Sequence, residues 1–410
     1  MRTLVIAALG AVLLAAQAGG SPDIALVGGT VYTDPAAPAT PDAVVVVHEG
    51  HIRSVGRRSD APLPAGAEVV DCTGTFITAG FWNSHVHVFT PVLLRESTAP
   101  AGELQAELGS MLNRWGFTTV FDVASVLDNT VALRRRIASG ELRGPRVLTV
   151  GEPLWTKAPA YVREALLANH IDMPAVVSAE DASARVRQLV ASRMDGIKIF
   201  TGSLQRDGVA NMPLEIARAA VTEAHRARLP VFAHPQNSRG LETAIAAGVD
   251  VLAHTTPDSP EWTPSFVSRL RAARIALIPT LTLFDFEART GGESDQARER
   301  WLDKMVGELR TFQAGGGEVL FGTDVGYTDH YDTRLEFELM RRAGLDFRAI
   351  LASLTTVPAA RFKAADRSGR IRPDFDADVV VLDADPARDV QNLARVRYTM
   401  AAGRFTYRRP

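Results

Sequence analysis

The chain has 410 residues, 46% hydrophobic and 22% charged, with a formal net charge of -2 at pH 7. That leaves room for a barrel-sized core plus one small domain, and it offers no basic stripe interleaved with aromatics, which excludes a nucleic-acid partner. The single cysteine, Cys72, excludes an intramolecular disulfide and a multi-cysteine zinc site, so histidines and carboxylates must carry any metal.

Arg2, the apolar stretch from Leu4 to Ala16 and the small-x-small end at Ala18 predict a signal peptide over residues 1–18, cleaved after Ala18, and hence an exported, periplasmic or secreted protein. The alternative is a retained anchor. No stable membrane anchor is expected, because the run is shorter than the ~20 apolar residues of a span. Residues 19–74 then carry short β-rich pieces, at 24–27, 30–32, 43–47 and 51–55, separated by Gly, Pro and Asp before any helical pattern. Residues 369–410 return to the same texture. Both ends are expected to build one small β-sandwich beside a central domain of residues 75–368.

Within that domain the apolar run 75–84 leads into His85, Val86 and His87, and alternation along a strand points both imidazoles the same way, making half a metal site. Further short apolar runs follow at 118–122, 145–150, 196–200, 230–234, 249–254, 275–279 and 319–324. Several end at or contain one ligand-capable residue: Lys198, His234, His254 or Asp324. Helical periodicity at 182–191 and 214–227 lies between strands, so strand and helix alternate as in a parallel sheet. Eight strands in this order predict an α/β fold, a (β/α)8 TIM barrel with chemistry at the carboxyl ends of the strands.

Residue by residue the chain resembles the amidohydrolase superfamily, in its dinuclear, carboxylated-lysine type with prolidase-like and acyl amino acid hydrolase relatives. The carrying positions are His85 and His87 on strand one, Lys198 on strand four, His234 and His254 on strands five and six, and Asp324 on strand eight. Thr356 to Ala359, Gly369 to Ile371 and Ala377 to Asp383 add a closing signature. The chain departs from the usual pattern at residues 79–83, where Asn83 replaces an aspartate, and at Asp374, where a glycine is usual. Neither position is among the implied metal ligands.

Alternation sends Ile197 and Ile199 to the helix side and Lys198 inward, where an unpaired ammonium is costly. Two partners are open: a salt bridge to a barrel carboxylate such as Asp324, or reaction of the neutral amine with CO2 to give a carbamate. On the second reading the resemblance implies two divalent metal ions, with Zn2+ the best match to an imidazole-rich set, although manganese, cobalt and nickel accept the same donors. One metal takes His85, His87, the carbamate on Lys198 and Asp324; the other takes the carbamate, His234 and His254. A hydroxide between them is the nucleophile and Asp324 the general base.

The expected reaction is hydrolysis of a carbon-nitrogen amide bond in a small molecule of dipeptide or N-acyl amino acid type. A lactone or phosphotriester hydrolase on the same centre, a mononuclear deaminase and a catalytically silent binding protein are the rivals. The deaminase outline carries a glutamate three residues after the strand-five histidine, where this chain has Asn237. Substrate-contact candidates are Trp155 after strand three, Gln236 and Asn237 after strand five, Arg289 after strand seven, and Tyr327 and His330 after strand eight. For His330, and equally for Tyr327, substrate contact and capping of a surface loop both stand. Oligomers are common in the family the chain resembles, so a homo-oligomer is compatible with this reading.

Overall fold

The computed structural model describes residues 23–60 and 62–409; the predicted signal peptide and its cleavage point lie outside them. The two chain ends meet in one eight-stranded sheet. It holds Ile24–Tyr32, Thr40–His48, His51–Arg57, Glu68–Asp71 and Phe76–Ala79 from the front, and Val379–Leu382, Val396–Ala401 and Arg404–Arg408 from the back. The valine run from Val44 to Val47 is fully buried, as a strand packed on both faces requires. Phe76–Ala79 is the seam strand, parallel to Thr30–Tyr32 and antiparallel to Val379–Leu382. Cys72 lies in the same core with Leu26, Val31 and Ile77, and burial pushes its thiol up to about 11.

The apolar run 75–84, read from sequence as one strand, is two. It breaks at Gly80, whose N–H donates to the Asp378 carbonyl 2.8 Å away and whose missing Cβ leaves space for the Thr118 side chain. Past that break β1 (Phe81–Val86), β2 (Phe117–Asp122) and β3 (Arg146–Thr149) form one parallel sheet. A second parallel sheet holds β4 (Ile197–Phe200), β5 (Val231–His234), β6 (Val251–Ala253) and β7 (Ala276–Ile278) in sequence order.

Backbone bonds stitch the two sheets at both seams. Leu154 donates to Lys198 and accepts from Phe200, at 2.8 and 2.9 Å. On the other side Leu277 bonds to Glu318 and Leu320, while Ser84 and His87 donate to Phe321 and Val325. The expected eighth strand, 319–324, is present as isolated bridges at Val319 and Val325 rather than as a continuous strand. Its backbone turns left-handed at Asp324, φ 59°, which a regular ladder does not tolerate.

Side chains sort as the strand period demands. Ile197 and Ile199 pack outward against Val186, Ala217 and Ala220 of the covering helices. Phe121, Phe232, Val251, Ile278 and Leu320 form a separate inner cluster. Phe362 closes its far end, its ring 4.9 Å from Phe121 and 5.8 Å from Phe232. The helices follow the pattern too: Leu214–Arg226 buries Ile216, Ala217, Ala220, Val221 and Ala224, one stripe at helical spacing.

Candidate metal centre

His85, Lys198, His234, His254 and Asp324, read from sequence as strand-end residues, converge in the structure together with His87. His85 sits in β1, Lys198 in β4 and His234 at the last position of β5; His87 and His254 each follow one residue after their strands. The four imidazoles form a chain of neighbours, with ring centroids 5.2 Å apart for His87 and His85, 4.6 Å for His85 and His254, and 4.8 Å for His254 and His234. Asp324 faces three of them, its Oδ1 2.9 Å from His87 Nε2 and 3.4 Å from His85 Nε2, its Oδ2 3.7 Å from His254 Nδ1.

Three residues at the centre have left-handed backbone. His254 has φ 101°, Asp324 φ 59° and Thr280, just after β7, φ 45°. Each costs about 1–3 kcal/mol and persists only where the surroundings over-determine it. Gly322 and Gly326 let the last run approach: a Cβ on the first would collide with Ile278 and His85, and one on the second with the His87 carbonyl oxygen. Asn83 clasps the same run, donating to Thr323 Oγ1 at 2.8 Å and accepting from His85 N at 3.2 Å, which gives this departure from the family pattern a local task.

The donor set fits a cation. Both ring nitrogens of His85 and Oδ1 of Asp324 are buried without a hydrogen-bond partner among the described residues. His87 Nδ1 donates to the Ala124 carbonyl at 2.7 Å, so in the neutral ring Nε2 is a lone pair, and it faces Asp324 Oδ1 at 2.9 Å. Two acceptors that close repel unless a positive centre lies beside them. Ligand atoms of His85, His254 and Asp324 fall within 4.8 Å of one another, and all three residues are buried.

The electrostatics agree. Burial lowers His85 and His234 to about 3 and drives His254 down as well, keeping these rings neutral and ligand-competent. For Asp324 burial pulls upward, but protons on the facing His85 and His87 outweigh it and hold the carboxyl well below the usual range, a part that a cation between these atoms would take over once the rings are neutral. Lys198 is buried and lowered to about 7 by that burial, with Asp324 pulling weakly the other way. Its ammonium position lies 5.4 Å from the Phe200 ring centroid, and it forms no ion pair with Asp324. The salt-bridge alternative therefore has no contact behind it.

The loop residues divide. Tyr327, three residues past Asp324, lies with its ring 5.2 Å from Tyr161 and 6.0 Å from Phe286, close enough to Asp324 to feel its charge. Gln236 reaches His234 Nε2 at 3.4 Å and donates to Asp258 at 3.2 Å. Asn237 instead caps the helix Ser238–Ala247, accepting from Gly240 N at 2.8 Å. Trp155 is buried against Phe200, 5.6 Å between rings, and buttresses the ring that stacks on His234. Arg289 is exposed and tied to Asp285 at 2.7 Å; His330 is exposed. Sequence reasoning missed Tyr161 and Glu287, which lie beside Tyr327 and Asp324; burial first, then Asp324, pushes the Glu287 carboxyl up to about 7. Only their place after strands three and seven could have marked them.

Residues 76–406 match the family model described as "Amidohydrolase family". The chain belongs to the amidohydrolase family. Ochratoxinase from Aspergillus niger is 24% identical over 224 residues, covering 52% of this chain and 45% of that protein, so the chain spans about half the length of this curated relative. Among solved structures, a putative prolidase from Bifidobacterium longum superposes with a TM-score of 0.79 at 26% identity, covering 95% of this chain and 96% of that one. A Xaa-Pro dipeptidase with bound methionine gives 0.79 at 21% identity, covering 94% and 100%, a likeness of fold. Among the described residues no helix is long and apolar enough to cross a membrane.

Proposed function

We propose that this amidohydrolase is an exported enzyme that cleaves the amide bond of a dipeptide or N-acyl amino acid at a centre of two divalent cations, zinc being the best match. The reading rests on one observation: buried imidazoles face Asp324, and both ring nitrogens of His85 and Oδ1 of Asp324 have no partner among the described residues. His85, His87 and Asp324 would hold one ion, His234 and His254 the other, with Lys198 as its carbamate between them. When bound, the ions supply Lewis acidity and bring water near its ionisation at neutral pH.

The chain's own groups do the rest. Asp324, held ionised by its neighbours, accepts the proton of the attacking water at a carboxylate oxygen and returns it to the departing nitrogen. Tyr161 and Phe286 pack on Tyr327 and exclude solvent from the bond being cut. Gln236, anchored on Asp258, presents its amide beside His234. A deaminase would need an acid where Asn237 stands, and that side chain is spent on a helix cap.

The two stitched parallel sheets are read as one closed (β/α)8 ring over 75–368, with 19–74 and 369–410 as the companion β-domain and 1–18 as the leader. Zinc-loaded protein is expected to hydrolyse members of a dipeptide and N-acyl amino acid panel. Turnover of lactones or phosphotriesters with every amide untouched would defeat the amide reading. The amino terminus of protein recovered from the periplasm or medium is expected at Gly19.

A further inference from the structure

Helix α1 (Leu281–Thr290) starts in an unusual way. Its N-cap residue, Thr280, is left-handed, φ 45° and ψ 51°, and its side chain makes no cap bond. A threonine at that position ordinarily has extended backbone and accepts an N–H of the first turn. Here the hydroxyl points back into the metal centre, 2.7 Å from His254 Nδ1. The missing cap comes from helix α2 (Arg334–Arg342), where the buried Glu336 carboxylate accepts Leu281 N at 3.0 Å, Thr282 N at 2.7 Å and Thr282 Oγ1 at 2.8 Å.

Thr280 Oγ1 also approaches the Pro279 carbonyl at 2.9 Å, and a carbonyl can only accept. The single hydroxyl proton goes there, which leaves the oxygen to accept from His254 Nδ1–H. His254 thereby presents Nε2 as its free lone pair.

We infer that Glu336 is a positioning residue for the metal centre: by capping α1 in place of Thr280 it frees that hydroxyl to fix the tautomer and orientation of His254. The inference rests on His254 being a metal ligand, as proposed above. Outer partners of this kind change metal affinity about 10–100-fold.

The test uses metal-free full-length protein labelled at histidine with 15N, and zinc titration of the same samples. In wild type and Thr280→Ser, His254 is expected to carry its proton on Nδ1. In Glu336→Gln and Thr280→Val it is expected to populate both tautomers, and one zinc equivalent should weaken about 10–100-fold. The double variant should be no worse than the weaker single, because both act through one bond. A Glu336→Gln protein that keeps the Nδ1–H form and binds both equivalents as wild type does would overturn the inference, whatever its melting temperature. Should that variant not fold, Thr280→Val decides: unchanged tautomer and zinc binding there overturn it equally. A wild type that takes up a single zinc defeats the two-ion reading alone, while the tautomer comparison still judges Glu336.

Discussion

His87 Nε2 and Asp324 Oδ1 lie 2.9 Å apart while the other nitrogen of the same ring is committed to the Ala124 carbonyl. The protein thus holds two electron-rich atoms face to face, and it spends left-handed backbone at Asp324 to do so. Replacing Asp324 with Asn removes the negative charge and the proton acceptor but keeps the shape. Turnover is expected to fall about 10²–10⁴-fold with part of the metal retained, measured as kcat against metal content. Near-normal kcat would end the assignment of Asp324 as the base.

Lys198 is the hinge of the two-ion reading. Lys198→Ala is expected to lower bound zinc from two equivalents to one or fewer and to abolish most turnover, and a short carboxylic acid should restore part of both by standing in for the carbamate. Full zinc occupancy in that variant, read by elemental analysis, would mean that the amine is a bystander.

Both carboxylate oxygens of Glu96 are buried without a partner among the described residues, and burial pushes this group up to about 8 from its usual value near 4.5. The folded protein therefore holds this proton more tightly than the unfolded chain does. Its contribution is complete at pH 4 and is lost as pH rises through about 8. Glu96→Gln cannot ionise, so its stability in urea denaturation should match the parent at pH 4 and exceed it by about 2–4 kcal/mol at pH 9. An equal difference at both pH values would count against an ionising buried acid.

Gly326 and Gly66 both have positive φ, 100° and 79°, but only the first has a neighbour in the way. Gly326→Ala is expected to cost about 2–4 kcal/mol in urea denaturation and to displace His87. Gly66→Ala, with open space around it, should cost about 1 kcal/mol from backbone strain alone. Similar losses at the two sites would show that the His87 carbonyl yields readily.

The candidate metal-centre residues were legible because an imidazole, amine or carboxylate interrupts an apolar run in or just past each strand. What positions them was not. Glu336 lies in a charged stretch that reads as a solvated helix face, and its partners Leu281 and Thr282 are 55 and 54 residues earlier, a pairing that no local pattern encodes. Gly80 hid inside one apolar run, so two strands read as one. Asn237 and Trp155 are adjacent to the right strands, yet capping and packing claim them, and only the direction of a side chain separates those tasks from touching substrate. Strand eight dissolved into bridges because the left-handed turn that aims Asp324 is incompatible with a ladder.

The seam strand Phe76–Ala79 has a further consequence. Its antiparallel neighbour, Val379–Leu382, is made some three hundred residues later. During synthesis the segment leading directly into β1 waits with one edge bare until Val379–Leu382 has been made. Loss of Val379–Leu382 would therefore strike at the entrance to β1.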